Sequence, residues 1–488
     1  MTALGLELDP KRRRMGLRYL ESAASSPLRV TGLDPRIEIE FALSRFSSPS
    51  AHTDAEVEAW LSRTRRQAIL RTRRIPLRDL RGWRMDPTTG DIAHRSGRFF
   101  TILGAWARNR FGTDEIEWGQ PFVDQAEVGI LGILVARIGG VLHACLQAKV
   151  EPGNIDTVQL SPTVQATYSN YRRAHGGVET PFVDLFLNPR PRSVLYSRLQ
   201  TEDGGRFLYK SNRNMIVQAP ARLVRESDQF IWLTLRQIAA LLRRDNCINA
   251  CARSVLSAMV HPELSPGRRE GRTLAPEETA AHLHALIDWL DEQKACTHLH
   301  VKRVPFKSLA DWHLDRQGYF AHREGRFFRV IGLEVETQGR EVAAWSQPIL
   351  ENPHEGIIGL LKQTIRGQPH VLLQAKSEPG NRPPVQLAPT VQFTPSNYLD
   401  NLSLQKPFLF EEFMQPKLGR VVLESRQSEE GARFYREEHL HRILELPPHT
   451  RLALPPSHRW VSLEAARYFL HLGEHLNSSA RSILACLL

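Results

Sequence analysis

Residues 146–171, LQAKVEPGNIDTVQLSPTVQATYSNY, return as residues 373–398, LQAKSEPGNRPPVQLAPTVQFTPSNY, 227 positions later and without a gap. A self-match of this length at one offset marks an internal duplication, and the offset is far too long for a solenoid repeat. Each copy must therefore belong to a domain. Other landmarks recur around it in the same order. Trp118-Gly119-Gln120-Pro121 matches Trp345-Ser346-Gln347-Pro348 at the same offset. Upstream, Val57, Trp60 and Leu61 answer to Leu286, Trp289 and Leu290, Trp83 to Trp312, and Arg98-Phe99-Phe100 to Arg326-Phe327-Phe328. Downstream, Arg206-Phe207 matches Arg433-Phe434, Trp232 matches Trp460, and NACARSVL from Asn249 matches NSSARSIL from Asn477.

These landmarks divide the chain into an N-terminal extension (1–52), a first repeat (53–260), a Pro-, Gly- and charge-rich linker HPELSPGRREGRT (261–273) and a second repeat (274–488). Thr53 followed by Glu56 is a capping-box pattern, so a helix is expected to start there with Val57, Trp60 and Leu61 on its buried face. Gly132–Ile138 and Val141–Lys149 flank a Gly139-Gly140 turn, the signature of a β-hairpin. Strands in the middle of each repeat and helices at its ends give an α+β class.

At 488 residues the chain is long enough for two cores. Apolar residues make up 41% and charged residues 24%, a globular composition. The net charge of +11 permits attraction to nucleic acid, acidic lipid or nucleotide phosphates without choosing among them. The densest basic run, RTRRQAILRTRR from Arg63 to Arg74, has helical spacing and no interleaved aromatics, and is expected to be a solvated helix face. Five cysteines without a CxxC pair fit a reducing cytoplasm rather than a disulfide framework or zinc ribbon. The N-terminal residues lack the apolar core of a signal peptide, and no apolar run reaches about 18 residues. Neither export nor membrane insertion is expected.

Read as a strand, the first copy puts His143, Cys145, Gln147, Lys149 and Glu151 on one face, with Leu142, Ala144, Leu146 and Ala148 behind. In the second copy the line is His370, Leu372, Gln374, Lys376 and Glu378. Gln159, Thr163 and Gln165, matched by Gln386, Thr390 and Gln392, line the next strand. A sheet with one face in water needs alternation but not particular polar residues. Their identity in both halves points to a lined pocket instead. Gly153 and Gly380, in E-P-G-N, are expected to serve the turn. There is no phosphate-binding G-x-x-x-x-G-K-[ST] loop, dinucleotide G-x-G-x-x-G or G-x-S-x-G nucleophile elbow. His298 and His300 lack a third metal ligand. No cofactor and no metal are expected.

W-[GS]-Q-P, L-Q-A-K-x-E-P-G-N and V-Q-L-[SA]-P-T-V-Q, each occurring twice, resemble the NDP-hexose 2,3-dehydratase family of deoxysugar biosynthesis over most of the chain. The resemblance implies two tandem Nudix-like domains, a homodimer, a dTDP-4-keto-6-deoxyglucose substrate, and a follow-on 3-ketoreductase to consume a reactive 3,4-diketo product. The acidic Nudix metal motif is missing, which agrees with a metal-independent reaction. A non-catalytic nucleotide- or nucleic-acid-binding module on the same scaffold is the alternative that the basic charge leaves open.

In a 4-keto sugar a base removes the C3 proton, α to the carbonyl, and the C2 hydroxyl then departs. Such a reaction needs a base, an acid and charge stabilisation at the C4 oxygen. Glu151 or Glu378 is the candidate base, His143 or His370 a candidate acid or orienting group, and Tyr168 and Tyr171 are alternative acids. Lys149 and Lys376 would bind diphosphate or polarise the C4 oxygen. Gln147, Gln165, Gln374, Gln392, Tyr171 and Tyr398 would fix the sugar or thymine, and Trp118 and Trp345 would stack on it or belong to the core. Arg253 and Arg481 are expected in helix-surface salt bridges. Since the halves differ at Cys145/Leu372 and Tyr168/Pro395, one pocket is expected to do the chemistry, the N-terminal one being favoured.

Overall fold

The computed structural model describes residues 35–47, 49–111, 114–167, 180–220, 223–224, 227–260, 276–338, 342–399 and 404–488. Tyr168, Tyr171 and the linker 261–273 lie outside them. The first repeat contributes β1 (Leu70–Ile75), β2 (Trp83–Met85), β3 (Ile92–His94), β4 (Thr101–Phe111), β5 (Asp114–Asp124), β6 (Gly129–Ile138), β7 (Val141–Val150), β8 (Val158–Pro162), β9 (Val164–Ala166), β10 (Val194–Thr201), β11 (Ser211–Gln218) and β12 (Phe230–Thr234). The second repeats the series as β13 (Thr297–Val304), β14 (Trp312–Leu314), β15 (Phe320–His322), β16 (Arg329–Thr337), β17 (Ala344–Glu351), β18 (Gly356–Ile365), β19 (Gln368–Ser377), β20 (Val385–Ala388), β21 (Val391–Phe393), β22 (Arg420–Ser428), β23 (Glu438–Leu446) and β24 (His458–Ser462). With flanking helices, the class is α+β.

The larger sheet of the first repeat has the order β10-β11-β6-β7-β12, with β8 on β7 and β9 on β6, and only β11 and β6 run parallel. Its counterpart runs β20-β19-β18-β23-β22, with β24 on β19 and β21 on β18. The expected hairpin forms between β6 and β7, where Gly139 and Gly140 take φ of 57° and 81°, as a tight turn matching the strand twist requires.

The smaller sheets exchange a strand between repeats. β1 of the first repeat pairs antiparallel with β16 of the second, from Leu70↔Thr337 to Ile75↔Gly332. β13 of the second pairs with β4 of the first, from Thr297↔Phe111 to Val304↔Gly104. One core consequently includes Ile75, Trp83 and Phe100 together with Phe306, Trp312 and Phe434. The repeats are homologous in sequence, but neither closes its sheets alone.

The helix Asp54–Gln67 begins with the expected box: Thr53 Oγ1 accepts from the Glu56 N–H at 3.2 Å, and Glu56 Oε2 accepts from the Thr53 N–H at 2.7 Å. It buries Val57, Trp60 and Leu61. The basic run is not one helix face, however. The helix stops at Gln67 and the remaining arginines continue into exchanged strand β1. There Arg73 meets Glu334 at 2.5 Å and Arg74 pairs with Glu351, so acidic residues of the other repeat neutralise part of the run.

Arg253 and Arg481 correct a second expectation. They are fully buried, on the helices Ala250–Leu256 and Ser478–Ala485, which pack on each other. Arg253 donates to Ser482 Oγ at 2.7 Å, Gln427 Oε1 at 3.2 Å and Ser428 O at 2.6 Å, and also to Ile248 O. Arg481 mirrors it toward Ser254 Oγ at 2.9 Å, Leu476 O and Thr201 O. Five planar N–H groups satisfy several carbonyls at once. The matched arginines therefore join the repeats.

Each E-P-G-N turn docks on the opposite repeat. The Gly153 N–H donates to Gly431 O at 2.7 Å, and the Gly380 N–H to Gly204 O at 2.8 Å. A Cβ on Gly153 would lie 1.7 Å from Phe434 O, and one on Gly380 1.7 Å from Phe207 O. Glycine is needed here for close backbone approach between repeats, beyond the turn itself.

Candidate active site

Strand β7 alternates as expected, but both of its faces are covered. Leu142, Ala144 and Leu146 enter the main core, while Cys145 packs with Leu134, Phe186 and Trp232 in a separate cluster. The polar line therefore becomes open only at its end. Lys149 and Glu151 reach a cavity of about 460 Å³, which Gln165 also lines. The facing wall comes from the second repeat as Trp345, Gln347, Glu430 and Arg433, while Trp83, His94, Phe99 and Phe100 form an aromatic end.

Contacts between the repeats account for this convergence. The turn after Glu151 docks on Gly431, bringing the adjacent Glu430 opposite Gln165. Gln347 donates to Ala432 O at 2.8 Å and accepts from Trp345 Nε1 at 2.8 Å, tying the W-S-Q-P motif to the same loop. Trp83 Nε1 donates to Ser346 O at 2.8 Å, and the Arg433 guanidinium stands 4.1 Å from the Phe100 ring centroid.

The polar end is organised by one amide. Gln165 Nε2 donates to Glu151 Oε1 at 3.0 Å and to Glu430 Oε1 at 3.3 Å, while its oxygen accepts from Asn249 Nδ2 at 3.1 Å. Lys149 Nζ lies 3.7 Å from Glu151 Oε1 and donates to Gln165 O at 3.2 Å. Glu151 is 1% exposed, and among the described residues its Oε2 has no hydrogen-bond donor. Burial, then the neighbouring Glu202, pushes the Glu430 carboxyl up to about 7, against the pull of Arg433. Two carboxyl groups thus share an amide, with one of them able to hold a proton near neutrality.

The other predicted residues are distributed unevenly. His143 is buried about eight residues up the strand from Glu151, roughly 25 Å away at the strand rise. Its Nδ1 bonds Val141 O at 2.9 Å and its Nε2 accepts from the Ala51 N–H at 2.9 Å, so backbone occupies both nitrogens. His370 similarly bonds Gln368 O at 3.0 Å, with its ring edge toward His282. Neither histidine is brought to its glutamate. Gln147 and Gln374 sit half-buried on β7 and β19, Gln147 outside the cavity lining. Tyr398 packs among Phe393 and Phe410, where burial raises its hydroxyl pKa.

A family model for NDP-hexose 2,3-dehydratase matches residues 54–259 and again 283–487. The chain belongs to the NDP-hexose 2,3-dehydratase family. It is 38% identical over 479 residues to a dTDP-4-dehydro-6-deoxy-alpha-D-glucopyranose 2,3-dehydratase of Saccharopolyspora spinosa, covering 96% of this chain and 97% of that one. A protein of the same description from Amycolatopsis orientalis is 37% identical over 470 residues, covering 94% and 96%, and one from Streptomyces violaceoruber 36% over 437 residues, covering 88% and 96%. Membership makes this dehydratase a carbon–oxygen lyase rather than the non-catalytic binding module that its charge left open.

In the dehydratase's second wall the same residue types are engaged differently. Glu378 Oε1 meets Lys376 Nζ at 3.3 Å and Gln392 Nε2 at 3.4 Å. Its Oε2, unlike that of Glu151, accepts from Asn381 Nδ2 at 2.9 Å and Asn477 Nδ2 at 3.3 Å. Asn154, the match of Asn381, instead donates to Lys149 O at 3.0 Å and Thr157 O at 3.1 Å. Trp118 bonds Gln120 at 2.9 Å, and Gln120 donates to Gly205 O at 2.7 Å, on the loop that receives Gly380. Each tryptophan therefore belongs with the wall of the other repeat.

Sequence reasoning missed Glu430, Arg433, Lys210, Gln125 and the aromatic end. Their signal was present: D-G-G-R-F at 203–207 matches E-G-A-R-F at 430–434. That match and the Trp83, Phe99 and Phe100 landmarks served to fix the duplication, although they also carry the cavity wall. His298 and His300 lie exposed on β13, and among the described residues no cluster of three His, Cys, Asp or Glu could hold a metal. No helix among the described residues is long and apolar enough to cross a membrane.

Proposed function

We propose that the cavity beside Glu151 removes water across C2 and C3 of a dTDP-4-dehydro-6-deoxyglucose. The relatives' substrate, together with the joint supply of acid, base and cations, supports this choice. Glu151 Oε2 takes the C3 proton, and the electrons pass toward the C4 oxygen as an enolate. The protonated carboxyl of Glu430 gives its proton to the C2 hydroxyl, which leaves as water. The resulting enol takes a proton at C2 and loses one from its C3 oxygen, giving the 3,4-diketo sugar. Gln165 holds both carboxyl groups without taking part in either transfer.

The observation that carries this reading is the buried Oε2 of Glu151, donor-free among the described residues, set against the matched Oε2 of Glu378, which two asparagines occupy. It favours the first wall as the reacting one. The thymine ring would stack at the aromatic end near Trp345, with Arg433 answering the diphosphate. Turnover of the keto sugar carrying deuterium at C3 tests the mechanism, since that deuteron should pass to solvent with a primary isotope effect, and a product that retains it would overturn the proposal.

The finer parts of the proposal are a Nudix-like ancestry for each large mixed sheet with its helices, a metal-independent reaction, a homodimer, a cytoplasmic setting and a 3-ketoreductase acting next. The ketoreductase follows from the reactivity of a 1,2-diketone. The Nudix-like ancestry and the dimer rest on the family resemblance. Light scattering showing a monomer at micromolar concentration would remove the dimer, and activity abolished by EDTA and restored by a divalent ion would remove metal independence.

A further inference from the structure

We propose that Lys210 holds the C4 oxygen of the sugar while the C3 proton is removed, and that this lysine makes the two walls chemically unequal. The inference rests on the dehydratase mechanism above. Lys210 lies at the entrance to β11, is only 4% exposed, and lines the same cavity as Glu151 and Glu430. Its Nζ donates to Glu127 O, which uses one of the ammonium's three N–H groups. The charged side chains around it are Glu202, Glu430, Arg433 and Glu127.

The other cations of the cavity have defined tasks. Lys149 is tied to Glu151 and Gln165 O, so it stands beside the base. Arg433 stacks over Phe100 and donates to Gln125 Oε1 at 3.1 Å, toward the aromatic end. Lys210 is the buried cation grouped with the proposed acid. An oxyanion forming at C4 needs a donor fixed before the reaction, in a site with little water, where charge is least screened. Lys210 forms no bond to carbon in this role. It keeps its protons and lends one N–H to the oxygen as charge develops there.

The duplication supplies a natural contrast. The Glu202 N–H donates to Lys210 O at 2.9 Å, and the Glu429 N–H donates to Glu437 O at 3.0 Å, so Glu437 occupies Lys210's place in the second repeat. Asn212 is likewise replaced by His439, whose Nε2 is 3.3 Å from Glu429 and 3.7 Å from Glu437. Where the first repeat offers a buried cation, the second offers a buried acid. A carboxylate there would oppose a C4 oxyanion, whatever Glu378 did as a base.

The test uses full-length Lys210→Gln, whose amide can still donate to Glu127 O but carries no charge. Exchange of the C3 hydrogen of dTDP-4-dehydro-6-deoxyglucose into deuterated buffer is followed by NMR, alongside the equilibrium affinity for dTDP. Exchange should fall by about 10²–10³-fold, as for removal of one oxyanion donor, with dTDP affinity unchanged. Lys210→Met serves equally if the glutamine variant does not accumulate. Exchange at the wild-type rate would overturn the assignment, as would dTDP affinity lost in step with exchange, which would make Lys210 a phosphate ligand. Borohydride fixing the sugar covalently on Lys210 would overturn it too, by showing an iminium. Wild-type protein that neither exchanges the C3 hydrogen nor loses it to solvent in forming product would instead sink the underlying mechanism.

Discussion

Replacing each of the two matched glutamates by glutamine should separate chemistry from stability. In Glu151→Gln the amide oxygen can still accept from Gln165, and the new NH2 falls where, among the described residues, Oε2 has no donor to oppose it. The fold should hold, while the base is gone. Loss of a general base typically costs about 10²–10⁴ in rate, equivalent to roughly 3–5 kcal/mol of barrier. Glu378→Gln should do the reverse. Every partner of Glu378 among the described residues is a donor: Lys376, Gln392, Asn381 and Asn477. Any orientation of the amide turns an NH2 toward other N–H groups, and each buried donor left unpaired costs about 1–3 kcal/mol. The variant should therefore unfold at lower denaturant concentration by about 2–4 kcal/mol and keep its turnover. The assays are C3–H exchange with product formation, and denaturant melts. Turnover retained in Glu151→Gln, or lost in a folded Glu378→Gln, would refute the reasoning.

Three further outcomes follow from the geometry. Glu430 and Glu429 both titrate near 7 in the folded protein, raised mainly by burial. The folded state thus binds their protons more tightly, and stability should fall as pH rises from about 4.5 to about 7, by up to about 3 kcal/mol for each group if they acted independently. Turnover should also fall above about pH 7 as the acid form is lost, a limb that Glu430→Gln should remove along with most of the rate; an unchanged profile in that variant would reassign the acid. Trp345→Ala should weaken turnover with its dTDP-sugar substrate while Trp118→Ala leaves it unaltered, since of these two only Trp345 lines the cavity beside Glu151; equal losses of kcat/KM would contradict this. Gly153→Ala should destabilise at or beyond the roughly 3 kcal/mol typical of severe overpacking, because its Cβ would meet Phe434 O at 1.7 Å; a wild-type melting curve would show that the turns do not hold the repeats together.

The duplication, the α+β class, the capped helix and the hairpin were legible because each depends on neighbouring residues. That Glu151, Lys149 and Gln165 meet at one wall was legible as well, since strand alternation lines them up and the second copy repeats them. His143 was misjudged because alternation fixes only a face. What covers that face along its length is decided by Phe186, Trp232 and the segment around Ala51, which are remote in sequence. Glu430 and Trp345 were hidden for a related reason. Strand exchange brings the second repeat's wall to the first repeat's base, and no local pattern encodes which copy faces which. Arg253 looked like a surface helix residue because its acceptors, Gln427 and Ser428, belong to the other repeat.

The central claim is that one cavity, built from both repeats, reacts at Glu151. A crystal structure of the full chain with an unreactive dTDP-sugar lacking the C2 hydroxyl tests it most directly. The account predicts the sugar C3 within roughly 3–3.5 Å of Glu151 Oε2, a near-attack distance, with thymine against Trp345 and the C4 oxygen at Lys210. A sugar ring seated against Glu378, with the Glu151 cavity excluding it, would contradict the account.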